Sequence, residues 1–157
     1  AAFLPEKQAV LTAAAKTLAE LAPEIANHST VATIHGSFKV AQLLCREHEL
    51  ALVDFDSISR GDPLYDVAEF FASILYLIVS DGIPAAPIRE SLESSWSDYQ
   101  QRVSWHCDRR RLAWYLVAFL LGKMHSSLKR SEVTAIANMP LAFDLVAEWL
   151  EVAKRKA

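Results

Sequence analysis

The sequence predicts an α+β domain, mostly helical, with one small β-hairpin near its start. Three observations carry that prediction. Apolar residues recur every three or four positions along most of the chain, the period of an amphipathic helix. Short β-like apolar runs occur together only between residues 31 and 54. The stretch Leu112 to Leu121 is apolar on every side, which suits a helix buried among others. At 157 residues the chain is expected to form a single domain, 1–157. A chain of this size can bury about two-thirds of its surface.

The elements follow in order. Residues 5–22 read as the first helix, with Val10, Leu11, Ala14, Leu18 and Leu21 as its stripe. Pro5 suits its first turn and Pro23 marks its stop. A polar stretch, Asn27-His28-Ser29-Thr30, follows. Val31 to Ile34 is a short strand ending at His35-Gly36. Gln42 to Cys45 and Leu50 to Val53 are two more, read as a hairpin joined by the four residues Arg46-Glu47-His48-Glu49. Asp62-Pro63 is a helix start, with Asp62 as N-cap and Pro63 in the first helical position. Val67, Phe70, Phe71, Ile74, Leu75 and Ile78 form that helix's apolar face, and Asp81-Gly82-Ile83-Pro84 breaks it. A more polar helix covers about 86–103, striped by Ile88, Leu92, Trp96 and Tyr99. Asp108 caps a helix over 109–127, expected to be the central one. A last helix spans about 131–154, with Pro140 interrupting or dividing it. Trp105, Trp114 and Trp149 are core candidates by helical spacing.

Composition excludes several classes. Hydrophobic residues are 52% and charged residues 22%, which rules out a disordered chain. The formal net charge is −3, so no overall basic field exists to hold a nucleic acid, and no nucleic-acid partner is expected. The longest uncharged apolar run, Leu112 to Gly122, is about half of a membrane span, so no membrane partner is expected. No basic region with an apolar run opens the chain, and the expected location is cytoplasmic. The first residue is Ala1, so the chain is expected to be processed or a piece of something longer. Cys45 and Cys107 form no C-x-x-C pair and read as buried free thiols, with a disulfide open in an oxidising compartment.

The residues able to carry chemistry cluster in three segments. These are His35-Gly36-Ser37-Phe38-Lys39-Val40-Ala41-Gln42, Val53-Asp54-Phe55-Asp56, and Gly61-Asp62-Pro63-Leu64-Tyr65-Asp66. A hairpin between the first two returns Asp54 toward the loop at 35–42. A carboxylate where a strand emerges, with the Gln42 amide oxygen facing it, is a good oxygen shell for Mg²⁺. Asp62 and Asp66 read as structural support, Asp62 as a cap and Asp66 as a negative charge in the first turn of a helix. Lys39 is within reach of a phosphate or simply exposed. Arg109-Arg110-Arg111 reads as a solvated helix start paired with Asp108 and nearby acids, or else as an anion patch.

Together the three segments resemble the catalytic region of the aminoglycoside phosphotransferase and choline kinase group, relatives of the protein kinases. The family pattern is H-G-D-x-x-x-x-N, a hairpin, then I-D-[FW]-[DE], then G-D-P-x-x-D. The resemblance implies the C-terminal lobe of a protein kinase-like fold and a transfer of the γ-phosphoryl of ATP to a small-molecule hydroxyl. It implies ATP and Mg²⁺ as cofactors, with Asp54 as a metal ligand and Gln42 in place of the family's Asn. Asp56 matches an acidic position that reaches a second metal or is structural. Ser37 stands where the family has its catalytic Asp, and a serine hydroxyl is no base at neutral pH; it is expected to bond to backbone. His35 is expected to support the loop by hydrogen bonds. The four glycines, 36, 61, 82 and 122, are not clustered. The nucleotide-binding N-terminal lobe is therefore expected to be absent from this chain: either it belongs to a longer parent protein, or this lobe stands alone, with a missing lobe or a partner chain expected to cover its cleft.

Three functions compete on this reading. The first is the substrate-binding and catalytic lobe of a small-molecule phosphotransferase, impaired by Ser37. The second is a pseudokinase-like binding or interaction module without phosphotransfer. The third and weakest is a serine hydrolase using His35 and Ser37; it lacks the second glycine of the G-x-S-x-G elbow.

Overall fold

The computed structural model describes residues 5–26 and 30–155. Seven helices appear in these residues: α1 (Pro5–Ala26), α2 (Pro63–Leu75), α3 (Leu77–Ser80), α4 (Ala85–Arg102), α5 (Arg109–Lys129), α6 (Val133–Ala137) and α7 (Met139–Lys154). Four short strands lie between α1 and α2: β1 (Ala32–Ile34), β2 (Leu43–Arg46), β3 (Glu49–Leu52) and β4 (Ser59–Gly61). The α+β, mostly helical class holds. Residues 27–29 of the polar stretch, and the first four residues, lie outside the described ones.

α5 is the central helix. Leu112, Ala113, Leu116, Val117 and Leu120 are fully buried in it, as an all-round apolar stretch requires. α1, α2, α6 and α7 pack against it. Both predicted caps are present. Asp62 accepts from the Leu64 backbone N–H at 3.0 Å, and Asp108 accepts from Arg110 at 2.8 Å. Each satisfies one of the backbone donors that a helix start leaves unpaired. Ile88, Leu92 and Trp96 of α4 are buried as their stripe demands.

Several expectations are corrected. α1 runs through Pro23 to Ala26. Proline forfeits one helical hydrogen bond, but its φ suits a helix. The last turn is held by tertiary contacts: Ile25 is buried and Glu24 pairs with Arg110 at 2.8 Å. Val10 is 43% exposed, so the buried stripe of α1 is narrower than its apolar residues suggest. The final helical stretch is divided in two as Pro140 led one to expect, with Asn138 at φ −91°, ψ 9° between the two helices. The Pro140 ring would clash with a helical carbonyl four residues earlier, so the break falls in front of it. The Asn138 amide donates to the Val79 carbonyl at 3.1 Å and fixes the junction on α3.

The β region also differs. Arg46 pairs with Glu49, so the hairpin turn is two residues, Glu47-His48, and Glu47 takes φ 51° to make it. β4 was not anticipated. It pairs antiparallel with β1, Ala32 opposite Gly61 and Ile34 opposite Ser59. Gly61 fits because a Cβ there would come 2.7 Å from the Ile34 side chain. Both cysteines are free, but Cys45 is exposed and Cys107 only half-buried. Cys45 lies on a two-stranded ribbon, where little is available to cover it.

The segment Pro63–Ser80 is long and apolar enough to cross a membrane by length and composition alone. The uncharged-run criterion missed it because it contains Asp66 and Glu69. Here it is the paired helices α2 and α3, half buried within the protein.

All four tyrosines have hydroxyls pushed above their ordinary range, chiefly by burial. Tyr115 goes furthest, to about 12, with the Asp62 carboxylate adding to the effect. A raised native value means that the folded state holds these protons more tightly than the unfolded chain. The stability this contributes is complete below about pH 10 and is lost as the pH rises toward 12. The expected result is alkaline unfolding in that window, with tyrosinate absorbance appearing alongside loss of helix. Tyrosinate forming near pH 10 in protein that stays fully folded would contradict it.

Candidate active site

The three segments predicted to carry chemistry meet at one end of the β region. His35 ends β1 and is buried. Its Nε2 lies 3.0 Å from the Val53 carbonyl, one residue before Asp54. Its ring packs at 5.1 Å from Phe55 and 6.0 Å from Phe38. His35 therefore ties the loop at 35–42 to the segment leaving the hairpin. Gly36 takes φ 77°, and a Cβ on it would stand 2.3 Å from the Ser57 carbonyl oxygen. Only glycine allows both that turn and that approach.

Asp66 holds the loop from the helix side. Its Oδ2 accepts from the His35 backbone N–H at 2.6 Å, and its Oδ1 from that of Gly36 at 2.9 Å. The sequence had suggested only a favourable charge in the first turn of α2. The structure shows a carboxylate clamp on the loop that carries Ser37.

The hairpin returns Asp54 as predicted. The Val53 N–H donates to the Gln42 carbonyl at 3.1 Å, and the Gln42 side-chain Nε2 donates to Asp54 Oδ2 at 3.1 Å. Asp54 is exposed and sits in left-handed backbone, φ 69°, ψ 56°. Such a conformation is uncommon outside glycine and concentrates at functional sites. Gln42 is buried, and its Oε1 has no hydrogen-bond partner. Asp56 is exposed in the short 3-10 turn Phe55–Ser57. The Ser37 hydroxyl makes no hydrogen bond to any described residue, so the backbone bond expected of it is not formed.

Beneath this site, Asp62 does more than cap α2. Its Oδ2 lies 2.9 Å from Nε of Arg111, and both side chains are almost wholly buried. Arg111 also donates to the His106 carbonyl at 3.2 Å. Burial raises the Asp62 pKa, while the Leu64 N–H and the Arg111 charge pull it back. The three arginines thus part company. Arg109 pairs with Glu93 and lies over the Trp149 ring, and Arg110 pairs with Glu24. A solvated run describes none of Arg111, because successive helical residues point about 100° apart.

An apolar cavity of ≈ 400 Å³ opens beside the loop, with Ile34, Phe38, Phe55, Tyr99 and Trp105 in its wall.

These segments match a known family model, described as phosphotransferase enzyme family, over residues 1–101. The chain belongs to that family. No curated protein and no solved structure matches it. The phosphotransferase family uses ATP and Mg²⁺ in general. The donor set at Asp54 fits such an ion. The Asp54 carboxylate is a hard oxygen donor, but the amide beside it turns its N–H, not its oxygen, to Asp54, and the buried, unpartnered Gln42 Oε1 would join a metal shell only after that amide turns over. Mg²⁺ takes one or two carboxylates and completes its shell with water and phosphate. Among the described residues no cluster of three or more His, Cys, Asp or Glu side chains could hold a metal. The phosphotransferase site would thus rely on Asp54 and Gln42, with phosphate oxygens supplying the rest.

Proposed function

We propose that this chain is the substrate-binding and catalytic lobe of a small-molecule phosphotransferase, slowed by Ser37. The observation that carries this is the meeting of Asp54, Gln42 and the His35-Gly36-Ser37 loop, in a chain of the phosphotransferase family. The reaction forms a bond from the acceptor hydroxyl oxygen to the γ-phosphorus of ATP and breaks the bond to the β,γ-bridging oxygen. ADP leaves, and the hydroxyl proton goes to solvent. Asp54 and Gln42 would hold Mg²⁺, which neutralises charge on the phosphates. Asp66 and His35 fix the loop, so that the acceptor side and the Asp54 side keep one geometry. Ser37 has no charge with which to orient the acceptor or take its proton.

The test is Ser37→Asp in the intact protein. A well-placed general base is worth roughly 10²–10⁴-fold. A rise of that order in phosphotransfer is expected, and no rise overturns the reading.

The uncharged Ser37 also favours a second reading, a pseudokinase-like binding module. Under the first reading Mg²⁺·ATP raises the melting temperature of the intact protein, and Asp54→Ala abolishes the rise. A rise that survives Asp54→Ala would place the metal elsewhere. The β region exposes Val31, Val40, Leu44, Leu50, Phe55 and Ile58. Apolar side chains left in water on this region support a covering nucleotide lobe or partner chain.

A further inference from the structure

A second cavity, of ≈ 520 Å³, opens between α2, α5 and the turn into α6, and Lys39 of the Ser37 loop forms one of its walls. It is polar and rich in hydroxyls. Those hydroxyls already spend their protons within the protein. Ser73 donates to the Phe70 carbonyl at 2.7 Å, Ser126 to that of Gly122 at 3.0 Å, and Ser80 to that of Tyr76 at 3.0 Å. Tyr76 donates to Ser127 at 2.9 Å, and Ser127 to Glu132 at 2.5 Å. Glu132 also lies 3.8 Å from Arg130.

What remains for a visitor is a short list. Lys39 reaches from the loop and Lys123 from α5. Neither forms an ion pair within 4.0 Å of a described residue. Both act on the Glu69 carboxylate at longer range. Glu69 is half-buried, and its Oε2 is enclosed without a hydrogen-bond partner. Burial pushes the Glu69 pKa up and the Lys123 pKa down, as expected for charges held out of water without close partners. Gly122 leaves the α5 wall open, since a Cβ there would touch nothing. Two ammonium groups face one carboxylate. The unmet demand is therefore for an anion at the lysines and a hydroxyl donor at Glu69.

We infer that this cavity is the acceptor pocket and that it takes a small hydroxylated acid, with a carboxylate or phosphate group held by Lys39 and Lys123. The word acceptor rests on the phosphotransfer reading; the binding itself does not. The cavity shares Lys39 with the loop that carries Ser37, and that contact is what places it beside the loop. Its positive surplus disfavours an amine-rich ligand.

The test is calorimetric titration of the intact protein without nucleotide, using matched hexose probes. These are glucose, glucosamine, glucuronate and glucose 6-phosphate, with inorganic phosphate alongside. At least one of the two anionic sugars is expected to bind tenfold or more tightly than glucose or glucosamine, and to weaken as salt is added. The tighter of the two identifies the anion as carboxylate or phosphate. Lys123→Gln and Lys39→Gln should each weaken that binding about tenfold while the circular dichroism stays unchanged. The proposal is overturned if neither anion binds, if glucosamine binds best, if both lysine variants bind normally, or if inorganic phosphate alone binds as tightly. Asp54→Ala should leave these titrations intact while removing the Mg²⁺·ATP response, so this proposal and the phosphotransfer reading fail on separate measurements.

Discussion

Arg111→Met is expected to destabilise the protein by about 3–5 kcal/mol, the cost of breaking a buried ion pair by removing one partner. The side chains of Arg111 and Asp62 are 1% and 4% exposed, and their Nε and Oδ2 atoms are 2.9 Å apart. Removing the guanidinium leaves a carboxylate buried at the start of α2, where it still caps Leu64. The loss should depend on pH. Burial already raises the Asp62 pKa with Arg111 in place, and losing that positive charge raises it further. A raised native value stabilises the fold below the ordinary aspartate range, and that contribution disappears as the pH climbs through the native value. The variant should therefore be weakest near neutrality and recover part of its deficit in mild acid. Asp62→Leu added to Arg111→Met should restore part of the loss, since an apolar pair of similar volume removes the stranded charge, although the cap is sacrificed. Urea unfolding at two pH values reads all of this from the midpoints. A loss under 1 kcal/mol for the single variant would mean that the pair is far better hydrated than its burial implies.

The site was legible in the sequence where short-range chemistry fixes it. Asp62-Pro63 and Asp108 announce helix starts because capping needs only the residue and its next two neighbours. The return of Asp54 to Gln42 followed from a hairpin, which is also local. What the sequence hid is long-range or lacks a side-chain signature. β4 is Ser59-Arg60-Gly61, with no apolar alternation, and exists because β1 offers it a register about 27 residues away. The Asp66 clamp binds backbone N–H groups, which every residue but proline carries, so nothing in the sequence marks His35 and Gly36 as its partners. The three arginines look alike in a row, and only the fold turns the third inward to Asp62. The polar cavity was missed for the same reason: Glu69, Lys123 and Lys39 come from three separate segments, and no spacing rule joins them.

Asp66→Ala is the second large effect, and it separates the clamp from the metal-binding atoms. Two backbone N–H groups, at His35 and Gly36, would lose a charged acceptor together. Hydrogen bonds to charged groups are worth about 1.5–3 kcal/mol each, so a loss on the order of 3 kcal/mol is expected after partial rescue by water. The consequence should spread along the loop. Gly36 holds a left-handed turn against the Ser57 carbonyl, and His35 holds the Val53 carbonyl beside Asp54. Freed from Asp66, these contacts should loosen together, and the pairing of Gln42 with Asp54 should loosen with them. The Mg²⁺·ATP melting response should then vanish as it does in Asp54→Ala, although Asp66 would touch no metal. Asp66→Asn keeps one acceptor oxygen but sets an amide N–H against a backbone N–H, and should fall between wild type and Asp66→Ala. Hydrogen exchange at the His35 and Gly36 amides is the direct measurement: slow in the wild type, fast in Asp66→Ala. Unchanged protection at both amides would show that the loop is held by its ring packing and strand ends alone, and the role assigned to Asp66 would be wrong.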